Sequence, residues 1–397
     1  MRPWQAIVIA IIVAFMAFAT GWRPLYVVMY VLVFMVVTCY FWTVLSVRGL
    51  RFNRGAPSGR VQVGEILEER LVLENHHWFP KLWVQVSDNS TLPGHHAGYV
   101  ASLGGRRRVA WKSRTICRRR GKYTLGPAIA TTGDPVGLFR RNLPLWAEHS
   151  LVVLPMVLPL SQFSLFPGGI PGRGRGSQRS LQTTTNAASI REYVPGDSVN
   201  HIHWPSTART GTLMVREYEL DPTLDAWLFL DLNEAVQAGQ GDSSTEEYGV
   251  TIAATLAAYL LRQDISVGLV VNAGRRDFVQ LDRGDRQLDR MLEVLAVAHA
   301  GSGPSLAEAL ALDGLHFARN TLAIVITPSW RDDWQLGLRH LQRRGVKTAV
   351  ISIDPSTFDD LPSSRQALNS LVDLGVPMLL VNRGDPLLRV LEQGPIA

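Results

Sequence analysis

Two apolar runs at the start of the chain restrict its folding more than any other feature. "QAIVIAIIVAFMAFAT" carries no charge from Gln5 to Thr20, and after "GWRP" a second uncharged run extends from Leu25 to Val47. A helix needs roughly 20 apolar residues to cross a bilayer core, so the second run is long enough and the first is short. Trp4 and Trp22 bracket the first run as interfacial anchors would. A secretory leader is the rival reading, but "FATGW" is a poor cleavage site and the second run follows regardless. The expectation for residues 1–48 is a transmembrane hairpin, with helices over about 5–20 and 25–47. Arg48, Arg51 and Arg54 outweigh the single Arg23 between the runs, which puts both termini in the cytoplasm. The first expected partner is therefore the lipid bilayer, and the expected location is the plasma membrane.

Charge is distributed unevenly behind this anchor. Residues 1–64 hold six arginines and no acid; residues 65–221 hold 19 bases and 12 acids; residues 222–397 hold 15 bases and 22 acids. A basic front and an acidic back explain the pI near 9.5 without invoking nucleic acid. The interleaved aromatics of single-strand readers are missing too. Two cysteines give no disulfide framework.

Residues 61–155 change pattern, to "ERLVLEN", "KLWVQVSD", "RRVAWKS", "KYTLGPAIATT" and "HSLVVLP". Period-two alternation between turn residues predicts antiparallel strands in a small β-sandwich. Arg106–Arg108, Arg114, Arg118–Arg120 and Lys122 make it basic, either as solvated strand faces or as a surface for anionic lipid headgroups. His76–His77 and His95–His96 are adjacent pairs. On strands such neighbours point to opposite faces, so neither pair suits one metal. Residues 156–190 read as a Gly/Ser-rich connector; "GRGRGS" lacks the lysine and flanking strand of a phosphate loop.

Residues 191–219, "REYVPGDSVNHIHWPSTARTGTLMVREYE", are the most unusual stretch. Pro195–Gly196 suits a type II turn, and Asp197 can cap a helical turn behind it. Ile202 and Trp204 alternate with His201 and His203, which sends the two apolar residues to one side. Thr210–Gly211 is a turn and "TLMVREYE" a strand. Three readings apply: a metal site with at most two ligands, an acid–base pair without an activated nucleophile, and a hydrogen-bonded clasp. The clasp is preferred.

The pattern Arg191-x-Tyr193-x-x-Gly196-Asp197-x(4)-Ile202-x-Trp204-x(3)-Ala208-Arg209, then Leu213-x-Val215-x-Glu217, resembles the signature of the bacterial domain-of-unknown-function family numbered 58. "RRRGKYTLGP" (118–127) and "TTGDPVGLFRR" (131–141) extend the likeness. Asn200 stands where the family usually has arginine and His203 where aspartate is common, so the charge network is wired differently. The resemblance implies a structural role for Arg191, Tyr193, Gly196, Asp197, His203, Trp204, Ala208, Arg209 and Glu217. It also implies a von Willebrand factor A-like domain and a MoxR-type AAA+ ATPase as partner.

Residues 222–397 read independently as α/β. The branched apolar runs 225–235, 265–272, 320–330, 347–354 and 376–386 alternate with helical patterns at Glu246–Arg262, Asp285–Ala298, Ser305–Leu312 and Arg331–Arg344. Strands apolar on both faces predict a mostly parallel, Rossmann-like sheet covered on both sides. Its working surface lies at the carboxyl ends of the strands, where Asp231 falls. The implied adhesion motif, Asp-x-Ser-x-Ser, is degenerate here: Asp231, Asn233 and Ala235. Mg²⁺ is the ion such a remnant would hold, and two or three oxygens are too few. Asp231 is expected to bond a neighbouring loop, without a cofactor.

The resulting expectation is a membrane-anchored, non-enzymatic scaffold whose cytoplasmic domain docks an ATPase. The alternatives are a hydrolase using 191–219 and a β domain that binds anionic lipid or an envelope polymer.

Overall fold

The computed structural model describes residues 3–55, 59–146, 148–163, 165, 187–194, 202–218, 225–314, 317–319, 321–372 and 374–393. Residues 1–156 and 157–397 form two compact units.

The first unit begins with helix α1 (Pro3–Thr20) and helix α2 (Arg23–Val47). α2 is long and apolar enough to cross a membrane, whereas α1 is a shorter apolar helix. At its end α2 passes through Gly49 directly into a β domain. The strands are β1 (Leu50–Gly55), β2 (Arg60–Gln62), β3 (Ile66–Asn75), β4 (Lys81–Asp88), β5 (Tyr99–Leu103), β6 (Arg108–Ile116), β7 (Gly121–Leu125), β8 (Ala128–Gly133), β9 (Arg140–Trp146) and β10 (His149–Leu154). β1 lies wholly before residue 61 and β2 begins at Arg60, so the β strands start earlier than the expected boundary. The sheet β1-β3-β6 faces the sheet β5-β4-β8-β9 across a core of Phe52, Leu73, Val84, Val86, Leu103 and Ala130. A third sheet, β2-β10-β7, encloses Leu67, Cys117, Leu125, Leu151 and Val153. Pairing is antiparallel apart from β2 with β10. The run 122–132 is not one strand, because it breaks at Gly126–Pro127 into β7 and β8. Both cysteines are free and buried.

Lys81 joins the helix to the sheets. Its ammonium donates to the carbonyls of Leu45 (2.7 Å) and Arg48 (2.9 Å) at the end of α2, where the Leu45 oxygen also accepts the Arg48 N–H. The cation also lies at the negative end of the helix dipole. Burial pushes its pKa down to about 8.

The second unit contains a small module, β11 (Ala187–Glu192), α3 (Trp204–Thr210) and β12 (Met214–Tyr218), with β11 antiparallel to β12. An α/β domain follows: β13 (Asp225–Asp231), the short hairpin β14 (Gly239–Gln240) and β15 (Ser243–Ser244), α4 (Thr245–Arg262), β16 (Ser266–Asn272), β17 (Asp277–Asp282), α5 (Asp285–Val297), α6 (Leu306–Asp313), β18 (Leu322–Thr327), α7 (Gln335–Arg343), β19 (Lys347–Ile353), α8 (Arg365–Val372), β20 (Met378–Val381) and α9 (Leu387–Gln393). The sheet runs β17-β16-β13-β18-β19-β20, parallel except for β17. Counted within the domain this is 3-2-1-4-5-6, the doubly wound order. One face packs Trp227, Phe229, Val325 and Val350 against α6, α7 and α8. On the other, Gly249 lets α4 sit close to Leu230, Ile326 and Ile353. β17 was not expected: its alternating "DFVQLD" pairs antiparallel at the edge with one face in solvent.

Candidate functional site

Asp231 ends the central strand, only 1% exposed. Its Oδ1 accepts the Asn233 N–H (3.2 Å) and the Asn272 side-chain amide (3.1 Å); its Oδ2 accepts the Thr327 hydroxyl (2.8 Å). Three adjacent parallel strands, β13, β16 and β18, are thus tied at their carboxyl ends by one side chain. Burial pushes the Asp231 carboxyl up to about 6, against the pull of the bonds from Thr327, Asn233 and Asn272.

The flanking loops are fastened to the same point. The Asn233 amide donates to the carbonyls of Gly303 and Pro304, both at 2.9 Å, while its oxygen accepts the Ala235 N–H. Asn272 also donates to Pro304 (3.1 Å). Glycine is required where the loop crosses: a Cβ on Gly303 would lie 2.4 Å from the Ala273 carbonyl oxygen. Ser305 then starts α6 with a capping box to Glu308. Further along the sheet, Asp354 accepts Ser356, Ser363 and Ser364 at the end of β19. Burial works to raise its carboxyl, and those bonds outweigh it and hold the pKa low.

This arrangement does not fit a divalent cation. Both Asp231 oxygens face N–H or O–H donors, the Asn233 oxygen is turned to a backbone N–H, and Ala235 has no ligand. The node ties the loops above the sheet to the ends of its strands.

The signature segment is a second knot. Pro205 in the first turn starts α3 at Trp204, so the expected strand alternation stops at His203. Trp204 consequently does not share a buried side with Ile202. It is 65% exposed, while Ile202 is half-buried and bridges Val215. The His203 carbonyl accepts the Thr207 hydroxyl, and that oxygen in turn accepts the Met214 N–H. His203 N–H donates to Met214 O (2.8 Å) and Tyr193 N–H to Leu213 O (2.8 Å). His203 Nδ1 lies 2.7 Å from the Ser206 hydroxyl. Ala208 and Arg209 are exposed on α3. Gly196, Asp197 and His201 lie outside the described residues, as do the side chains of Arg191 and Glu217.

Residues 189–368, from β11 into α8, match the family described as "Protein of unknown function DUF58". Over this stretch the chain is similar to the DUF58 family. It is similar to the uncharacterized protein YeaD of Bacillus subtilis, 25% identical over 180 residues, 45% of this chain and 43% of that one. It is also similar to the uncharacterized protein Rv1480 of Mycobacterium tuberculosis, 27% identical over 193 residues, 47% of this chain and 58% of that one. The matched region thus spans about half of these relatives' length. The pilus adhesin SpaC of Lactobacillus rhamnosus GG aligns over 43% of this chain at 9% identity and a TM-score of 0.32, too slight to bear on the fold.

Outside the matched stretch, the β domain holds a buried charge cluster that sequence reading missed. Arg54 donates to Glu69 (2.8 and 2.9 Å) and to both Asp88 oxygens (3.2 Å), and stacks over Trp146. His95 Nε2 lies 3.1 Å from Asp88 and its Nδ1 2.9 Å from the Thr115 hydroxyl. Burial acts to raise the Asp88 carboxyl; His95, Ser90 and Arg54 outweigh it and hold it low. The signal was present in the alternation Leu67, Glu69, Leu71, Leu73, where an acid on the inward face demands a partner. Both histidine pairs lie in loops rather than on strands, 76–77 between β3 and β4 and 95–96 between β4 and β5: His95 faces this cluster and His96 faces solvent.

Proposed function

We propose that this chain is a membrane-anchored, non-enzymatic scaffold whose α/β domain docks a partner protein. The observation that carries the reading is the Asp231 node. The one carboxylate at the end of the central strand is consumed by internal donors, which fix the overlying loops as a display surface rather than a reaction centre. The 3-2-1-4-5-6 strand order supports a Rossmann-like, von Willebrand factor A-like domain. The excess of seven acids over bases in residues 222–397 gives that surface a charge with which to choose its partner. α1 and α2 are read as the two-span anchor in the plasma membrane, with both termini cytoplasmic. The partner is a MoxR-type AAA+ ATPase acting in chaperone-like assembly, and nucleotide chemistry belongs to that partner.

Purification of the full chain from its own membranes in mild detergent, with and without nucleotide, tests the partnership: an ATPase should copurify. Its absence under both conditions removes the reading. A hydrolase is the second reading, favoured only by the 2.7 Å approach of His203 to Ser206. Labelling of Ser206 by a serine-reactive fluorophosphonate would support it; an unlabelled serine argues for the local clasp.

A further inference from the structure

We infer that the β domain is sunk into the headgroup layer of an anionic bilayer by two loops beside α2. The inference rests on the reading of α2 as a membrane span, and goes beyond it by assigning a lipid-binding surface.

The first loop is Asp134–Phe139. Leu138 and Phe139 pack against Ala6, Met35, Val36 and Cys39, and Phe139 meets the Tyr40 ring at 5.8 Å. At 1.5 Å per residue, Cys39 and Val36 lie about 12 and 16 Å from the end of α2. The whole helix is about 37 Å long, against a hydrocarbon core of roughly 30 Å. Only about 7 Å of α2 is left to protrude, less than the distance the loop climbs. The tip therefore reaches the depth of the acyl boundary. Its construction suits that depth, because the Asp134 carboxylate accepts the N–H groups of Val136, Leu138 and Phe139, so those backbone donors are satisfied without water. Val136 at the tip is 58% exposed, and the exposed Arg140 and Arg141 follow at once.

The second loop is the turn at 76–80 with the β5–β6 turn laid on it. His76 N–H donates to Gly49 O at the exit of α2, and Arg106 N–H donates to His77 O. Phe79 meets the Trp42 ring at 4.7 Å, and Trp78 beside it is 66% exposed. Arg106, Arg107 and Arg108 are exposed on the same turn. An exposed indole next to a helix exit, with arginines around it, is the chemistry of the interface between acyl chains and anionic phosphates.

The test uses the full chain in liposomes, with single introduced cysteines carrying the environment-sensitive dye NBD and quenchers attached to the lipids. Val136→Cys and Trp78→Cys report the two loops. Phe34→Cys, in mid-α2, reports the span. Ile66→Cys lies at the far end of β3, nine residues or roughly 30 Å from the α2 exit, and reports the aqueous side. Wild type taken through the same labelling reaction controls for the buried native thiols. Expected is blue-shifted, strongly quenched emission at 34, 78 and 136 and water-like emission at 66. At 78, quencher on an anionic phosphatidylglycerol should act more strongly than quencher on phosphatidylcholine, and replacing Arg106, Arg107 and Arg108 by glutamine should abolish that preference, worth about fivefold per arginine. Quenching at 34 with none at 78 and 136 overturns the inference and leaves the span standing. No quenching at 34 removes the span, and the inference with it. Equal action of the two lipids overturns the anionic preference.

Discussion

Asp231→Asn should remove the pH dependence that this carboxyl gives the α/β domain's stability, so that variant and wild type exchange rank between pH 4 and 7. The carboxyl titrates near 6 in the fold instead of its ordinary 3.8. Between those values the folded state keeps a proton that the unfolded chain has released. Stability is therefore greatest below about pH 4 and falls as pH rises through about 6. At about 1.4 kcal/mol per pKa unit, the loss is roughly 3 kcal/mol. Asparagine does not titrate. It keeps a carbonyl toward the Asn233 and Asn272 donors and presents an NH₂ to Thr327, whose oxygen already accepts the Ser329 N–H at 3.0 Å. The Thr327 hydroxyl then loses its acceptor, at about 1 kcal/mol. The variant should be less stable than wild type by about 1 kcal/mol at pH 4 and more stable by about 2 kcal/mol at pH 7, combining the two terms. Urea titration of the full chain in detergent, read by amide exchange in peptides covering 225–231 and 322–327, confines the measurement to this sheet. Curves that stay parallel from pH 4 to 7 would refute the account, since Asp231 would then not titrate within the fold.

Three further outcomes are expected. Arg54→Met leaves Glu69 and Asp88 buried and unpaired by the guanidinium, at a cost of about 3–5 kcal/mol in the β domain; thermal unfolding that barely moves would show the cluster contributes nothing. Gly303→Ala forces a Cβ onto the Ala273 carbonyl, so exchange at 272–274 and 301–305 should accelerate, with a loss of about 1–3 kcal/mol; unchanged exchange means the loop has room. Lys81 gives up its proton near 8 in the fold and near 10.5 when unfolded. Wild type should therefore gain stability relative to Lys81→Met as pH rises from about 8 to about 10.5, and a gap constant over that window counts against a buried ammonium.

Local patterns carried much of the architecture. Apolar period and length alone located α4, α5 and α6 to within a residue or two, and β4 and β10 lie where alternation put them. Those signals depend only on a residue's near neighbours. Among the strands that escaped, β1, β2, β5, β9 and β17 are short, charged or half-solvated, and each owes its existence to the strand it pairs with, while β11 begins inside the stretch expected as a connector.

Sequence by itself determined the apolar helices, the division into β and α/β portions, the family motif and the placing of Asp231 at a strand end. Only the tertiary structure decided what Asp231 does, because its partners Asn272 and Thr327 lie 41 and 96 residues away and meet it only when parallel strands align. The same holds for Arg54, whose acids come from other strands, and for Trp204, which Pro205 turned outward by starting a helix. A hydrogen bond is a distance in space, and the chain records only distance along itself.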